Sequence, residues 1–357
     1  MSILSFFVFL GIIYCVWTRT IKRGLKRLSC HREFSHTLVT EGEEAELVEV
    51  VRNDSPYTIP WLRVESRSSP HLQLGKQENL HMGGEQYYCS LFTLMPYQQI
   101  RRRHKVKFLR RGAYDLGSAS LTSGDLLGIF RYQRTQKLSV PVTVYPRLLS
   151  PEEIPTPLSY MMGDAVCRQH LLPDPFLVRG IRPYLPGDPV RDIHWAATAR
   201  TTQAQVRVRD YTNQTRLLVV LNVQNQELLW GNVLPQQDAE AMEYAISLAA
   251  TVCVQALRGG SAAGFAANMP MDTGKQSTIL MPAGGSVQED NILSAMAHLN
   301  VMRTENIQNL LEKLGNETGL DILLLSRYDC ESLRSALEKL EQTGNRTYLY
   351  LLEGGCP

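Results

Sequence analysis

The feature that most limits what this chain can fold into is a change of hydrophobic period partway along it. From Phe34 to Pro146 the apolar residues fall in short β-branched and aromatic segments, Ala45–Arg52, Ile59–Glu65, Gln86–Leu94, Lys105–Leu109 and Val140–Tyr145. Turn clusters separate them: Asn53-Asp54-Ser55-Pro56, Gly83-Gly84, Arg111-Gly112 and Ser123-Gly124-Asp125. Strands at this spacing, with no helical pattern between them, predict an antiparallel β-sandwich over 34–147. Beyond residue 217 the pattern is different. Leu217–Leu221 and Ile322–Leu325 are continuous apolar runs, as expected of strands buried on both faces. Helical spacing marks Asp238–Leu257, Val287–Leu299, Glu305–Leu314 and Cys330–Gln342. Short strands are expected at Ala262–Ala267, Ser277–Met281 and Thr347–Leu352. This alternation predicts a doubly wound α/β domain over 217–357. The fold class is therefore α+β and multidomain, which a chain of 357 residues has room for at about 100–200 residues per domain.

The N-terminus adds a third element. Met1 to Thr18 carries no charged side chain, and basic residues follow at once: Arg19, Lys22, Arg23, Lys26, Arg27 and Arg32, with no acid before Glu33. As a helix, the run covers about 27 Å, near the minimum for a hydrocarbon core of roughly 30 Å. A cleaved signal peptide has the reverse charge order. The reading is a transmembrane helix over 1–18, a single pass in the cell membrane, with the bulk of the chain cytoplasmic by the positive-inside rule. Seven dispersed cysteines without a C-x-x-C pair suit a reduced compartment and argue against a zinc site. A net charge of +2 gives no overall field for nucleic acid. The basic run Arg101–Arg111 holds seven Lys or Arg and reads as a solvated strand face or a patch for anionic lipid.

Between the two domains, 148–216 reads as a connector. It is proline-rich up to Pro175, then arginine-rich from Arg179 to Arg200. No Lys occurs between Lys137 and Lys275, so the basic groups here are all forked guanidinium donors suited to carboxylates and aromatic faces. Arg182, Tyr184, Gly187, Asp188, Arg191, His194, Trp195 and Arg200 surround a Pro-Gly-Asp-Pro turn. Two readings stand. In one the motif is an internal clamp, with Asp188, Asp192 and Tyr184 satisfied by Arg182, Arg191 and Arg200. In the other it is a docking surface for an acidic partner or a phosphate, with Arg179 and Arg207 as docking candidates.

The spacing R-x-Y-x-x-G-D-x-x-R-x-I-H-W-x-x-x-A-R, here Arg182 through Arg200, closely resembles the signature of a bacterial membrane-protein family known as domain of unknown function 58. The segments Arg110–Gly117 and Gly124–Phe130 resemble that family's β-domain. The family commonly has a basic residue after the Trp, where this chain has Ala196, and usually two N-terminal helices where this chain has one apolar run. The resemblance implies a von Willebrand factor A-like domain at the C-terminus, and partners that include a MoxR-type AAA+ ATPase and a transglutaminase-like membrane protein. A-type domains can hold Mg²⁺ in an Asp-x-Ser-x-Ser loop after the first strand. Here that loop is Asn222-Val223-Gln224-Asn225-Gln226, without an anion or hydroxyl, and Arg327 follows the second apolar strand. A hard cation needs anionic oxygen, so Asn222, Gln224 and Gln226 mark a degenerate metal site. No phosphate-binding loop or nucleophile elbow occurs. The expectation is a non-enzymatic, membrane-anchored adaptor without cofactor or metal. The rivals are a hydrolase using Asp188, Asp192 and His194, and a metal-dependent adhesion module.

Overall fold

The computed structural model describes residues 1–357 except 1–2, 76–79, 83–84, 126–128, 159–172, 202, 212–215, 228–235, 273, 275 and 353–357. The Gly83-Gly84 turn, part of the proline-rich connector and the centre of the Gly124–Phe130 segment lie outside the described residues. The chain combines α and β elements and divides into two compact units, Met1–Arg147 and Leu148–Pro357.

The first unit opens with helix α1 (Ile3–Lys26), followed by β1 (Leu28–Phe34), β2 (Leu38–Thr40), β3 (Glu44–Asn53), β4 (Ile59–Ser68), β5 (Leu72–Leu74), β6 (Leu80–Met82), β7 (Glu85–Leu94), β8 (Gln99–Phe108), β9 (Gly112–Asp115), β10 (Ser118–Gly124), β11 (Arg131–Lys137) and β12 (Pro141–Tyr145). Three sheets form, in the orders β1-β3-β8-β5, β11-β10-β4-β7-β6 and β2-β12-β9. All pairings are antiparallel except β2 with β12. The first two sheets share a core: Leu28, Cys30 and Val51 from one pack with Ile59, Leu62, Val64, Phe92 and Leu121 from the other. A second core cluster gathers Leu47, Leu74, Val106 and Phe108 with Val142 and Val144 of β12.

Strand β8 resolves the basic run. Its alternation exposes Arg101, Arg103, Lys105 and Lys107, while Val106 and Phe108 go inward. Glu33 on β1 and Glu46 on the adjacent β3 face Arg101 and Arg103 at 3.6 and 3.7 Å. Arg102 lies over the Phe92 ring at 4.2 Å. One charge counted with the N-terminal basic flank is placed elsewhere. Arg32 is buried, donating from Nε to Glu49 Oε1 at 2.8 Å and from Nη1 to Ser66. Its guanidinium also lies 5.3 Å from the Tyr88 ring centre.

The N-terminal run is helical, as its hydropathy predicts, but the helix continues through the basic residues to Lys26. Its last turns dock on the sandwich through buried Thr18, Ile21 and Leu25. Arg134 of β11 donates to the carbonyls of Leu25 and Lys26 at 3.4 and 3.0 Å, satisfying acceptors that a helix end leaves open, and to that of Leu28 on β1 at 3.4 Å. The preceding part exposes Phe6, Phe7, Phe9, Ile12, Ile13, Val16 and Trp17. The expected span over 1–18 is corrected on one point: among the described residues, no helix is long and apolar enough to cross a membrane.

The second unit holds β13 (Pro173–Pro183), a short helix α2 (Trp195–Thr198), β14 (Gln205–Tyr211), β15 (Arg216–Leu221), α3 (Gln236–Arg258), β16 (Ala262–Ala267), β17 (Thr278–Ala283), α4 (Ser286–His298), α5 (Ile307–Leu314), β18 (Asp321–Ser326), α6 (Glu331–Gln342) and β19 (Arg346–Leu351). Its main sheet has the order β17-β16-β15-β18-β19, parallel except for β17. Leu218, Val220, Ile322 and Leu324 pack against α5 and α6 on one face. Helix α3 packs on β15 and β16, and α4 on β16 and β17. A Cβ at Gly264 would lie 2.5 Å from the Leu280 carbonyl oxygen, so only glycine allows β17 to approach at the irregular step of that pairing.

The 148–216 segment is more structured than a connector. Leu149, Ile154 and Leu158 are buried, and the Leu149 amide donates to Thr251 Oγ1 at 2.9 Å on α3. Strands β13 and β14 pair antiparallel as a separate two-stranded sheet, from Pro173↔Tyr211 to Pro183↔Gln205. The arginine-rich motif spans its end.

Candidate functional site

Two constellations hold the residues singled out by the sequence. The first is the cap of the β13–β14 hairpin. Asp188 is fixed by Arg182, whose Nη1 and Nη2 donate to its two oxygens at 2.7 Å each, and by the Leu185 amide at 2.9 Å. The fork holds the Asp188 carboxyl below the usual carboxylate range, with the Arg182 hydrogen bond as the largest cause. Gly187 sits at φ +110°, a conformation L side chains resist, which explains the glycine of the turn. His194 caps α2: its Nδ1 accepts from the Ala197 amide at 3.0 Å, so that nitrogen is the unprotonated one. Thr198 Oγ1 donates to the His194 carbonyl and accepts from the Gln205 amide, tying α2 to β14.

This arrangement corrects the clamp in part. The Arg182–Asp188 pair exists, but its side chains remain 41% and 16% exposed, which makes it a surface fork. Arg191, Arg200 and Tyr184 are exposed, and Trp195 is 67% exposed. No residue of the short 3₁₀ turn Val190–Asp192 or of α2 is buried. A cap this small has too little apolar volume to enclose a guanidinium network, since a lone two-stranded ribbon buries little. Among the described residues neither Arg191 nor Arg200 makes an ion pair, and Arg207 is also exposed. The side chain of Arg179 lies outside the described residues. For the hydrolase reading, both Asp188 oxygens and His194 Nδ1 are engaged in holding the cap.

The second constellation lies at the carboxyl edge of the main sheet, between β15 and β18, where the strand order reverses and ligands of open α/β sheets usually bind. Asn222 and Gln224 are both buried there, and their amides bond to protein. Asn222 Nδ2 donates to Ser326 Oγ at 3.1 Å, and its Oδ1 accepts from the Gln224 amide at 3.0 Å and from Asn268 Nδ2 at 3.1 Å. Gln224 Oε1 accepts from the Ile307 amide at 2.8 Å, at the start of α5. Asn268 completes the lock, its Oδ1 accepting from the Val223 amide at 2.8 Å and its Nδ2 donating to the Glu305 carbonyl at 3.2 Å. Above them Arg327 pairs with Asp238 at 2.6 Å and donates to Asn225 at 3.2 Å. Gln226, the third residue of the degenerate loop, is exposed. Asn268 was missed by sequence reasoning; the available signal was a polar amide ending the small-residue strand Ala262–Ala267. Neutral amides whose oxygens are committed to N–H donors offer a hard cation little, and the Asp238 carboxylate above them is held by Arg327.

Among the described residues no group of three or more His, Cys, Asp or Glu could hold a metal ion. No curated protein matches the chain. Among solved structures the chain is similar to the CARDB domain of a Pyrococcus furiosus protein, at 14% identity over 33% of this chain and 93% of that one, TM-score 0.22. It is also similar to a GH20 exo-β-N-acetylglucosaminidase from Vibrio harveyi, at 10% identity over 87% of this chain and 59% of that one, TM-score 0.21. The sporulation control protein Spo0M from Bacillus subtilis is similar at 12% identity, over 44% of this chain and 58% of that one, TM-score 0.17. Likenesses this distant carry no argument about function. The family resemblance is firmer: residues 180–326, which include the hairpin cap and the amide-locked sheet edge, match the model of the family described as protein of unknown function DUF58.

Proposed function

We propose that this protein is a non-enzymatic scaffold held at a membrane through α1, presenting a von Willebrand factor A-like domain with a closed metal site to cytoplasmic partners. The observation that carries the reading is the amide lock at the sheet edge: Asn222, Gln224, Asn268 and Ser326 satisfy one another where an ion or substrate would need free ligands. The sheet order, with its antiparallel edge strand and helices on both faces, supports the A-type comparison. The apolar residues exposed along α1, ahead of its basic last turns, support attachment to lipid. The family resemblance points to a MoxR-type AAA+ ATPase and a transglutaminase-like membrane protein as partners.

The metal claim has a direct test. Millimolar Mg²⁺ or Mn²⁺ is expected to leave the unfolding midpoint of the full chain where EDTA leaves it. A cation binding with Kd well below about 1 mM would raise it through mass action, by roughly RT ln(1 + [L]/Kd). Saturable, EDTA-reversible stabilisation would overturn the closed-site reading.

A further inference from the structure

We infer that the cap of the β13–β14 hairpin, residues 184–201 with 203–204, is a docking surface for an acidic, aromatic-bearing segment of a partner protein. The inference rests on the scaffold reading and adds the chemistry of what the scaffold holds.

Three observations carry it. First, the cap exposes large apolar groups within one short stretch of chain: Leu185 is 58% exposed, Val190 67% and Trp195 67%, and Tyr184 is exposed too. Trp, Tyr and Arg are the residues that dominate protein interfaces. Second, the charge is one-sided. From Arg179 to Arg209 the sequence has six Arg against Asp188 and Asp192. Arg182 already consumes Asp188, while Arg191 and Arg200 are exposed and make no ion pair with a described residue. Guanidinium forks recognise carboxylates bidentately, and a second copy of this surface would meet like charge. Third, the exposed groups stand on a braced frame: the Arg182–Asp188 fork, the Gly187 turn and the His194 cap fix the backbone that carries them. A preorganised surface loses less ordering entropy on binding. The apolar groups favour a polypeptide over a nucleic acid, as does a net charge of only +2 on the whole chain.

The test uses the full chain in detergent micelles and fluorescence anisotropy of a labelled short peptide of repeating Glu-Glu-Tyr. A Gln-Gln-Tyr peptide and a single-stranded oligothymidylate are the comparison probes. The acidic peptide is expected to bind saturably and more weakly as salt rises, with the Gln peptide and the oligonucleotide at least about tenfold weaker. The paired charge reversals Arg191→Glu and Arg200→Glu, and separately Trp195→Ala, are expected to weaken it about tenfold or more with an unchanged unfolding midpoint. Equal binding of the Gln peptide, tighter binding of the oligonucleotide, Trp195-dependent self-association, or unaltered affinity in both variants would overturn the inference. The metal titration and lipid attachment of the same preparation report on the scaffold reading. If those hold while the acidic peptide fails, docking chemistry alone is wrong.

Discussion

Glu49→Ala is expected to destabilise the protein by about 3–5 kcal/mol, because it leaves a buried guanidinium without its counter-charge. Both side chains of the Arg32–Glu49 pair are fully inaccessible, and Arg32 sits between Ser66 and the Tyr88 ring. Water cannot reach the guanidinium to replace the carboxylate. Against a total stability of roughly 5–15 kcal/mol, that loss is plain in a urea titration. The double replacement Arg32→Met with Glu49→Leu separates burial from pairing. Removing both charges with similar volume is expected to cost far less than Glu49→Ala alone, since apolar substitutes for a buried pair are often neutral. A single-variant loss under about 1 kcal/mol would contradict the burial of this pair. Glu49 Oε2 has no hydrogen bond and lies 3.9 Å from His104 Nε2, itself unbonded, so its main counter-charge is Arg32. Burial keeps the His104 imidazole below its ordinary range, so it is mostly neutral near pH 7 and supplies no replacement charge.

Asn268→Ala has the next largest expected effect, about 3 kcal/mol. Asn268 is fully buried and bonds the β15 loop at Val223, the Asn222 and Gln224 amides and the α5 approach at Glu305. Alanine strands the buried Val223 N–H and leaves the Glu305 carbonyl without the Asn268 donor, each worth about 1–3 kcal/mol when unsatisfied. Asn222 and Gln224 keep the donors from the Gln224 and Ile307 amides. Unfolding of the purified chain followed by circular dichroism measures it. If the edge were instead an open, hydrated site, water would take over these bonds and the change would be within about 0.5 kcal/mol.

What the sequence made legible was whatever a continuous apolar run or a helical stripe announces. Leu217–Leu221 became β15, Ile322–Leu325 lies inside β18, and Asp238–Leu257 lies inside α3, because burial on both faces or one stripe leaves little room for polar residues. The strands β1, β2, β5, β6, β9, β10 and β11 went unread. Strand β11, Arg131–Lys137, is almost wholly polar and owes its extended form to pairing with β10, a tertiary cause that local pattern does not carry. The hairpin strand β13 was hidden by Pro173, Pro175 and Pro183, which argue against a strand inside a sheet but are tolerated in a two-stranded ribbon with open edges. In the cap, the pairing of Arg182 with Asp188 could be read from residue type and spacing. The exposure of Arg191 and Trp195 could not, because it follows from apolar volume that the hairpin lacks. At the sheet edge the missing carboxylates were visible in Asn222 and Gln224, whereas the lock required Asn268, which comes from the neighbouring strand.

Attachment to lipid is the part of the scaffold reading most open to direct measurement. Purified full chain is mixed with vesicles containing anionic lipid and spun to equilibrium on a density gradient, beside a variant carrying Phe6→Asp, Phe9→Asp and Ile13→Asp. These three residues are exposed on α1 and take no part in its docking on the sandwich. Apolar area on the helix and the basic residues at its C-terminal end both favour the bilayer. The unaltered chain is expected to float with the vesicles and to resist high-salt extraction, and the variant to stay at the bottom with an unchanged unfolding midpoint. A wild-type chain that remains at the bottom, or a variant that floats equally well, would contradict the proposal that α1 holds this protein at a membrane.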